Sequence, residues 1–230
     1  MLRSWIPQDK LKMFFLCGNI NPSAIYIIEQ DLEKIDSYSL SLNPISIELL
    51  KKYPNKINWR SLSYNSNAIE LLTKNPDRVD WYNLSRNPNA ISIIEENLDK
   101  VNWQSLSENP NAIHILEREP DKIDWQSLSN NPNAIHLLEQ NLEKVDWWYL
   151  SQNPNAIEIL TNNPDKIDWK SLSFNPNAIS IIEQNPDEID WCNLSKNKNA
   201  IHLLEQNQDK IDWDYISLNP SIFEEDYACK

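Results

Sequence analysis

The sequence predicts an all-α solenoid of tandem 22-residue units, and three observations carry that reading. Trp59, Trp81, Trp103, Trp125, Trp147, Trp169, Trp191 and Trp213 stand 22 residues apart without a slip, and a fixed period over most of a chain means one small structural unit copied in tandem. The copies share the pattern Trp-x-x-Leu-Ser-x-Asn-Pro-Asn-Ala-Ile-x-(Ile/Leu)-(Ile/Leu)-Glu-x-Asn-Pro-Asp-Lys-Ile-Asp, whose slots are numbered here from the Trp. Its apolar slots fall at helical rather than strand spacing.

The elements follow in chain order. Residues 1–14 are read as an N-terminal cap, 15–212 as nine full units and 213–230 as a degenerate capping repeat. Phe15 opens a degenerate first unit, recognisable by Asn21, Pro22, Ala24 and Ile25; Ser37, Trp59 and Trp191 open looser copies, and Trp81, Trp103, Trp125, Trp147 and Trp169 clean ones. The slot 22 Asp (Asp80, Asp124, Asp146, Asp168, Asp190, Asp212) precedes the Trp as a helix N-cap and complements the helix dipole. The helix it opens is under two turns, short enough to be 3₁₀. Asn-Pro then starts a second helix, with Pro in the first helical position and Asn as its N-cap. That helix carries an apolar stripe at slots 10, 11, 13 and 14, as a helix between neighbouring copies should, and ends at the slot 17 Asn. Gly18 is the single glycine, so Asn, the residue next most tolerant of positive φ, is expected to make the helix junctions. The column Asn87, Asn109, Asn131, Asn153 and Asn175 is expected also to bond backbone groups of adjacent copies. The eight tryptophans, three residues before a Leu on the same helical face, are expected to form a core ladder. In the last copy slots 13 and 14 become Glu225 and Asp226, which suits an end on which no further unit stacks.

Bulk properties exclude several function classes. A net charge of −13 argues against nucleic-acid and anionic-membrane partners. Cys17, Cys192 and Cys229 have no metal or disulfide spacing, and the apolar run 13–17 is too short for a signal-peptide core or a membrane span. These features predict free thiols, an intracellular location and a monomer. Asn83 and Asn193 sit in Asn-Leu-Ser sequons that mean little without a secretory signal. His114, His136 and His202 all occupy slot 12, one per copy, which spreads them too far apart for a metal ion. The acidic columns, Glu95, Glu117, Glu139, Glu183 and Glu205 among them, repeat as a solvated face and as caps. No phosphate loop, nucleophile elbow or HExxH occurs. The expectation is no enzyme, no metal and no cofactor.

What differs between copies is slots 2 and 6, one turn apart on the first helix: Tyr38/Leu42, Arg60/Tyr64, Tyr82/Arg86, Gln104/Glu108, Gln126/Asn130, Trp148/Gln152, Lys170/Phe174, Cys192/Lys196 and Asp214/Leu218. In an acidic chain, Arg60, Arg86, Lys170 and Lys196 stand out beside aromatic residues, the composition that binding hot spots favour. Trp148, Lys170, Phe174, Tyr82, Tyr64, Arg60 and Arg86 are therefore the candidate partner-binding residues, against the alternative of surface drift. Trp147 and Trp148 are adjacent, yet the period assigns the first to the core and the second to the surface.

The run 124–135, Asp-Trp-x-x-Leu-Ser-x-Asn-Pro-Asn-Ala-Ile, resembles the tandem-repeat proteins of giant nucleocytoplasmic DNA viruses of amoebae and algae, and the opening Trp5-Ile6-Pro7 with Asp9-Lys10-Leu11 is similar to how such proteins begin. The likeness covers essentially the whole chain and implies a viral protein acting in the infected cell. More distantly, Leu-Ser-x-Asn-Pro followed by a helix resembles the leucine-rich repeat variant, whose α and 3₁₀ helices alternate, although the second Pro of that family's Asn-Pro-x-x-Pro motif is missing here. The expected function is an interaction scaffold with a protein partner of unknown identity; the alternative is a structural protein packed into the virion.

Overall fold

The computed structural model describes residues 11–217, 219 and 221. The expected cap residues Glu225 and Asp226, the opening Trp5–Pro7 signature and Cys229 lie outside them. Every regular element among the described residues is helical, and the chain is an all-α solenoid. It divides into two compact units, Met1–Lys122 and Ile123–Lys230. The first holds α1 (Met13–Cys17), α2 (Pro22–Glu29), α3 (Ser37–Leu42), α4 (Ile47–Lys52), α5 (Trp59–Tyr64), α6 (Ile69–Lys74), α7 (Trp81–Arg86), α8 (Ile91–Glu95), α9 (Trp103–Ser107) and α10 (Ile113–Arg118). The second holds α11 (Trp125–Ser129), α12 (Ile135–Glu139), α13 (Trp147–Gln152), α14 (Ile157–Asn162), α15 (Trp169–Phe174), α16 (Ile179–Gln184), α17 (Trp191–Lys196), α18 (Ile201–Gln206) and α19 (Trp213–Ile216). The closest stacking joins the first helices of successive copies: α3, α5, α7 and α9 in one unit, and α11, α13, α15, α17 and α19 in the other.

Helices of five or six residues do not stand alone in water, so the caps and the neighbours must hold them. The slot 22 side chain does cap the first helix: the Asp80, Asp146 and Asp168 carboxylates accept the N–H of Asn83, Tyr149 and Ser171. The core between copies is narrow. Leu40, Leu62, Leu84, Leu150 and Leu172 at slot 4, Ala68, Ala90, Ala156 and Ala178 at slot 10, and Leu72, Ile94 and Leu160 at slot 14 are all fully buried.

Two polar columns share that core. The slot 5 serine donates to the slot 1 carbonyl, Ser63 Oγ to Trp59 O at 2.8 Å, and accepts the N–H of the next cap residue, Asp80, at 2.9 Å. It thus ties one copy to the start of the next. The slot 7 asparagine goes further. Asn87 Nδ2 donates to Ser63 O and Asn65 O of the preceding copy, both at 3.0 Å, while its Oδ1 accepts the N–H of Asn89. Those carbonyls end the preceding first helix, where four C=O groups lack intrahelical partners. Asn65, Asn109, Asn153, Asn175 and Asn197 repeat the arrangement. Each copy therefore caps the helix of the copy before it, as the asparagine column led us to expect.

Four expectations are corrected. The second helix of the typical copy starts at slot 11, not slot 8: slots 7 to 10 form a turn in which Ala90 N–H donates to Asn87 O. Among the described second helices, that of the first copy alone has its Asn, Asn21, as an N-cap and its Pro, Pro22, in the first helical position. A third element follows the second helix, a 3₁₀ turn such as Pro76–Arg78 or Pro164–Lys166. The junction asparagines do not adopt positive φ: Asn87 has φ −73° and Asn75 φ −133°, and Gly18 itself has φ −89°. Asn is there for its amide, which at slot 17 donates back to the slot 13 carbonyl, Asn75 Nδ2 to Leu71 O at 2.8 Å. Finally, α1 begins at Met13, inside the expected cap, and Asn43 Nδ2 donates to Cys17 O and Asn19 O where later copies use slots 5 and 7. Ala24 and Ile28 keep their buried slots, so the first copy carries two extra residues between its helices.

Candidate functional site

The first helices stack with their slots in line, so slots 2 and 6 of successive copies form an outward face within each compact unit, with the slot 3 side chains beneath it. Each unit carries a groove on that face.

In the first unit α3, α5, α7 and the residue after α9 line a groove of ≈ 790 Å³, made by Tyr38, Leu42, Asn58, Arg60, Ser61, Tyr64, Asn83, Arg86 and Glu108. Arg86 Nε donates to Glu108 Oε2 at 2.8 Å, and a second guanidinium nitrogen contacts the same oxygen. This pairing raises the Arg86 pKa further above its ordinary value. Tyr82 flanks the groove: its hydroxyl accepts from Arg86 at 3.3 Å, and the guanidinium lies 5.5 Å from its ring centre. Arg60 is exposed and has no hydrogen bond or ion pair among the described residues.

In the second unit Trp148, Gln152, Lys170, Ser171, Phe174, Asn193 and Lys196 line a groove of ≈ 410 Å³. Trp148 is 49% and Phe174 47% exposed. The Trp148 ring meets Tyr149 edge-on at 4.6 Å, which fixes its orientation. Lys196 Nζ lies 3.7 Å from the Tyr215 ring centre and 3.4 Å from Asn193 Oδ1. Among the described residues the Lys170 ammonium has no partner and no carboxylate lines this groove.

The structure thus gathers Arg60, Tyr64 and Arg86 in one groove with Tyr82 beside it, and Trp148, Lys170 and Phe174 in the other. The sequence reading missed the slot 3 hydroxyls between them. Gln152 at slot 6 donates to Ser171 of the next copy at 3.4 Å. The equivalent neighbour of Ser61 is Leu42, which has nothing to donate, and the buried Ser61 hydroxyl is left without a hydrogen-bond partner. Ser105 is likewise unpartnered, because its neighbour Arg86 is engaged by Glu108. For Ser61 the signal was present as a polar-to-apolar change at slot 6, Leu42 where a later copy has Gln152.

The tryptophan column is not the core ladder expected. Trp59, Trp81, Trp103, Trp125, Trp147, Trp169 and Trp191 are half-buried, and Trp213 is 67% exposed. Slot 1 is the first residue of its helix, where the side chain leans towards the preceding loop and away from the Leu–Ala core. The slot 20 lysine of the same copy covers the ring: Lys100 over Trp81 at 5.3 Å, Lys144 over Trp125 at 4.7 Å and Lys210 over Trp191 at 4.8 Å. The 22-residue recurrence of Lys at slot 20 was the available clue.

Slot 12 pairs with slot 15 of the preceding copy on an exposed face. Lys51 contacts Glu70 at 3.0 Å, His114 contacts Glu95 at 3.1 Å and His202 contacts Glu183 at 2.8 Å. Among the described residues no group of three His, Cys, Asp or Glu is placed to hold a metal ion. Cys17 and Cys192 are free thiols. Desolvation, with Asp212 and Asp190 nearby, raises the Cys192 pKa. The chain matches no protein-family model, no curated protein and no solved structure.

Proposed function

We propose that this solenoid is a non-enzymatic scaffold that binds a protein partner through the outward face of its first helices. The observation that carries the reading is the groove of the second unit, which two half-exposed aromatic side chains line together with a lysine that has no partner among the described residues. Trp148 and Phe174 present aromatic surface to water within one groove, and contiguous exposed apolar surface marks interaction sites. Aromatic anchors beside a cation are what protein interfaces use at their energetic centre. The slot 22 carboxylates cap helices, and Glu70, Glu95 and Glu183 pair with cations on an exposed face, which supports a binding rather than a catalytic role. The net charge of −13 disfavours nucleic acid and anionic membranes, and no helix among the described residues is long and apolar enough to cross a membrane. The resemblance to giant-virus repeat proteins makes the infected cell the place to look.

Affinity capture from infected cells with the wild-type chain and with Trp148→Ala tests this. The expected result is a protein captured by the wild type and weakened at least tenfold by Trp148→Ala. An identical set of captured proteins for both chains would refute the face. Recovery of the chain chiefly in purified particles, with no captured partner, would favour the packing role instead.

A further inference from the structure

The groove of the first unit is built differently from that of the second, and the difference specifies a ligand. It carries two guanidinium groups and one carboxylate. Arg86 is already neutralised by Glu108, so of the two guanidinium groups only that of Arg60 is without a partner among the described residues. Beside it Ser61, which also lines the groove, is only 3% exposed, and its hydroxyl has no hydrogen-bond partner among the described residues. A buried polar group left unpaired costs free energy, and a ligand that pairs with it recovers that cost. Tyr38 and Tyr64 are 58% and 50% exposed on the same groove, offering apolar surface next to the charge.

We infer that this groove binds an extended peptide segment through one internal Asp or Glu side chain, with an apolar or aromatic neighbour resting on the tyrosines. The carboxylate accepts from Arg60 and from the Ser61 hydroxyl. A single negative charge matches the net charge of the groove, whereas a phosphate dianion would face Glu108 without a second free guanidinium. The residue is internal because Arg60 and Ser61 lie on α5, in the middle of a groove that runs from α3 to Glu108. Three helix spacings of about 8–10 Å accommodate about eight extended residues at about 3.3 Å each. The overall negative charge of the chain does not oppose this contact strongly, since exposed charges are screened beyond about 8 Å at physiological salt. The inference rests on the partner-binding reading of this face, but it can fail while that reading stands.

The test is selection of the full-length protein against a random octapeptide library flanked on both sides by carrier sequence. The selected peptides are then synthesised with blocked ends and measured by fluorescence anisotropy. Enrichment of Asp or Glu beside an apolar or aromatic residue is expected. Replacing that acid by its amide, or Arg60→Gln in the protein, should each weaken binding by about 10- to 100-fold, and the two losses should not add. Leu42→Gln, which gives Ser61 the partner that Gln152 gives Ser171, should also weaken binding. Trp148→Ala should leave it unchanged. Absence of acidic enrichment would overturn the inference, as would an acid-to-amide difference that survives Arg60→Gln, or a phosphoserine peptide that binds more tightly than its Glu counterpart. If any of these occurs while Trp148→Ala still abolishes partner capture, only the ligand chemistry of the first unit is wrong.

Discussion

A buried asparagine can finish two carbonyls and one N–H at once, and Asn153 does so. Its Nδ2 donates to Ser129 O at 3.1 Å and Asn131 O at 3.0 Å, and its Oδ1 accepts the N–H of Asn155 at 3.0 Å. Asp lacks the donors and Gln reaches one carbon too far. The column of asparagines was legible in the sequence, and so was its bonding between copies. The backbone conformation was not, because Asn is compatible both with positive φ and with an amide ladder. Trp147 misled for a related reason. Size and periodicity pointed to burial, but the space between stacked copies admits Leu, Ala and Ile, and the indole is left at the helix edge. Trp147→Ala is therefore expected to cost about 1–3 kcal/mol, less than the 3–5 usual for a buried Trp, while Leu150→Ala, fully buried, costs about 2–5 kcal/mol. Denaturant unfolding of the two variants side by side checks this; a larger loss for Trp147→Ala would restore the tryptophan to the core. At the groove, Arg60 and Arg86 looked alike in sequence. Only the placement of Glu108 shows that one is paired and the other is not.

The short helices themselves were legible from the slot 22 caps and the apolar stripe. Their boundaries were less so, since Pro after Asn suits the first turn of a helix and also the second position of a β-turn. The 3₁₀ turn at slots 18–20 carries no apolar period of its own and left no pattern to read. Pairing between second helices was equally hidden, because it needs the neighbour's register. Glu70 on α6 shows its consequence. Lys74 donates to one carboxylate oxygen at 2.6 Å and Lys51 of the preceding copy to the other at 3.0 Å. These bonds, Lys74 first, hold the Glu70 pKa down to about 2. A depressed carboxylate contributes stability above its unfolded value of about 4.3 and loses it as pH falls through about 2. Carboxyl NMR titration at low salt should show Glu70 with a midpoint near 2, rising with added salt because the group is exposed. A salt-independent midpoint near 4.3 would show that the two ion pairs do not form in solution.

At the scale of the molecule, the repeat separates two tasks. Slots 4, 5, 7, 10 and 14 hold each copy to its neighbour and are nearly invariant along the chain, whereas slots 2 and 6 vary and carry the two grooves. Stability in such a stack is a sum of local units and nearest-neighbour interfaces, so residues can change on the outward face without loosening the stack. This division is the central claim, and thermal melting of Asn153→Ala and Trp148→Ala beside the wild type tests it most directly. Asn153→Ala leaves two carbonyls and an N–H without partners, about 3 kcal/mol at least, and should lower the melting temperature by about 6–12 °C for a chain of this size. Trp148→Ala, on the half-exposed face, should stay within about 2 °C. If Trp148→Ala destabilises as much as Asn153→Ala, or if Asn153→Ala melts like the wild type, the division between a stacking interior and a binding face is contradicted.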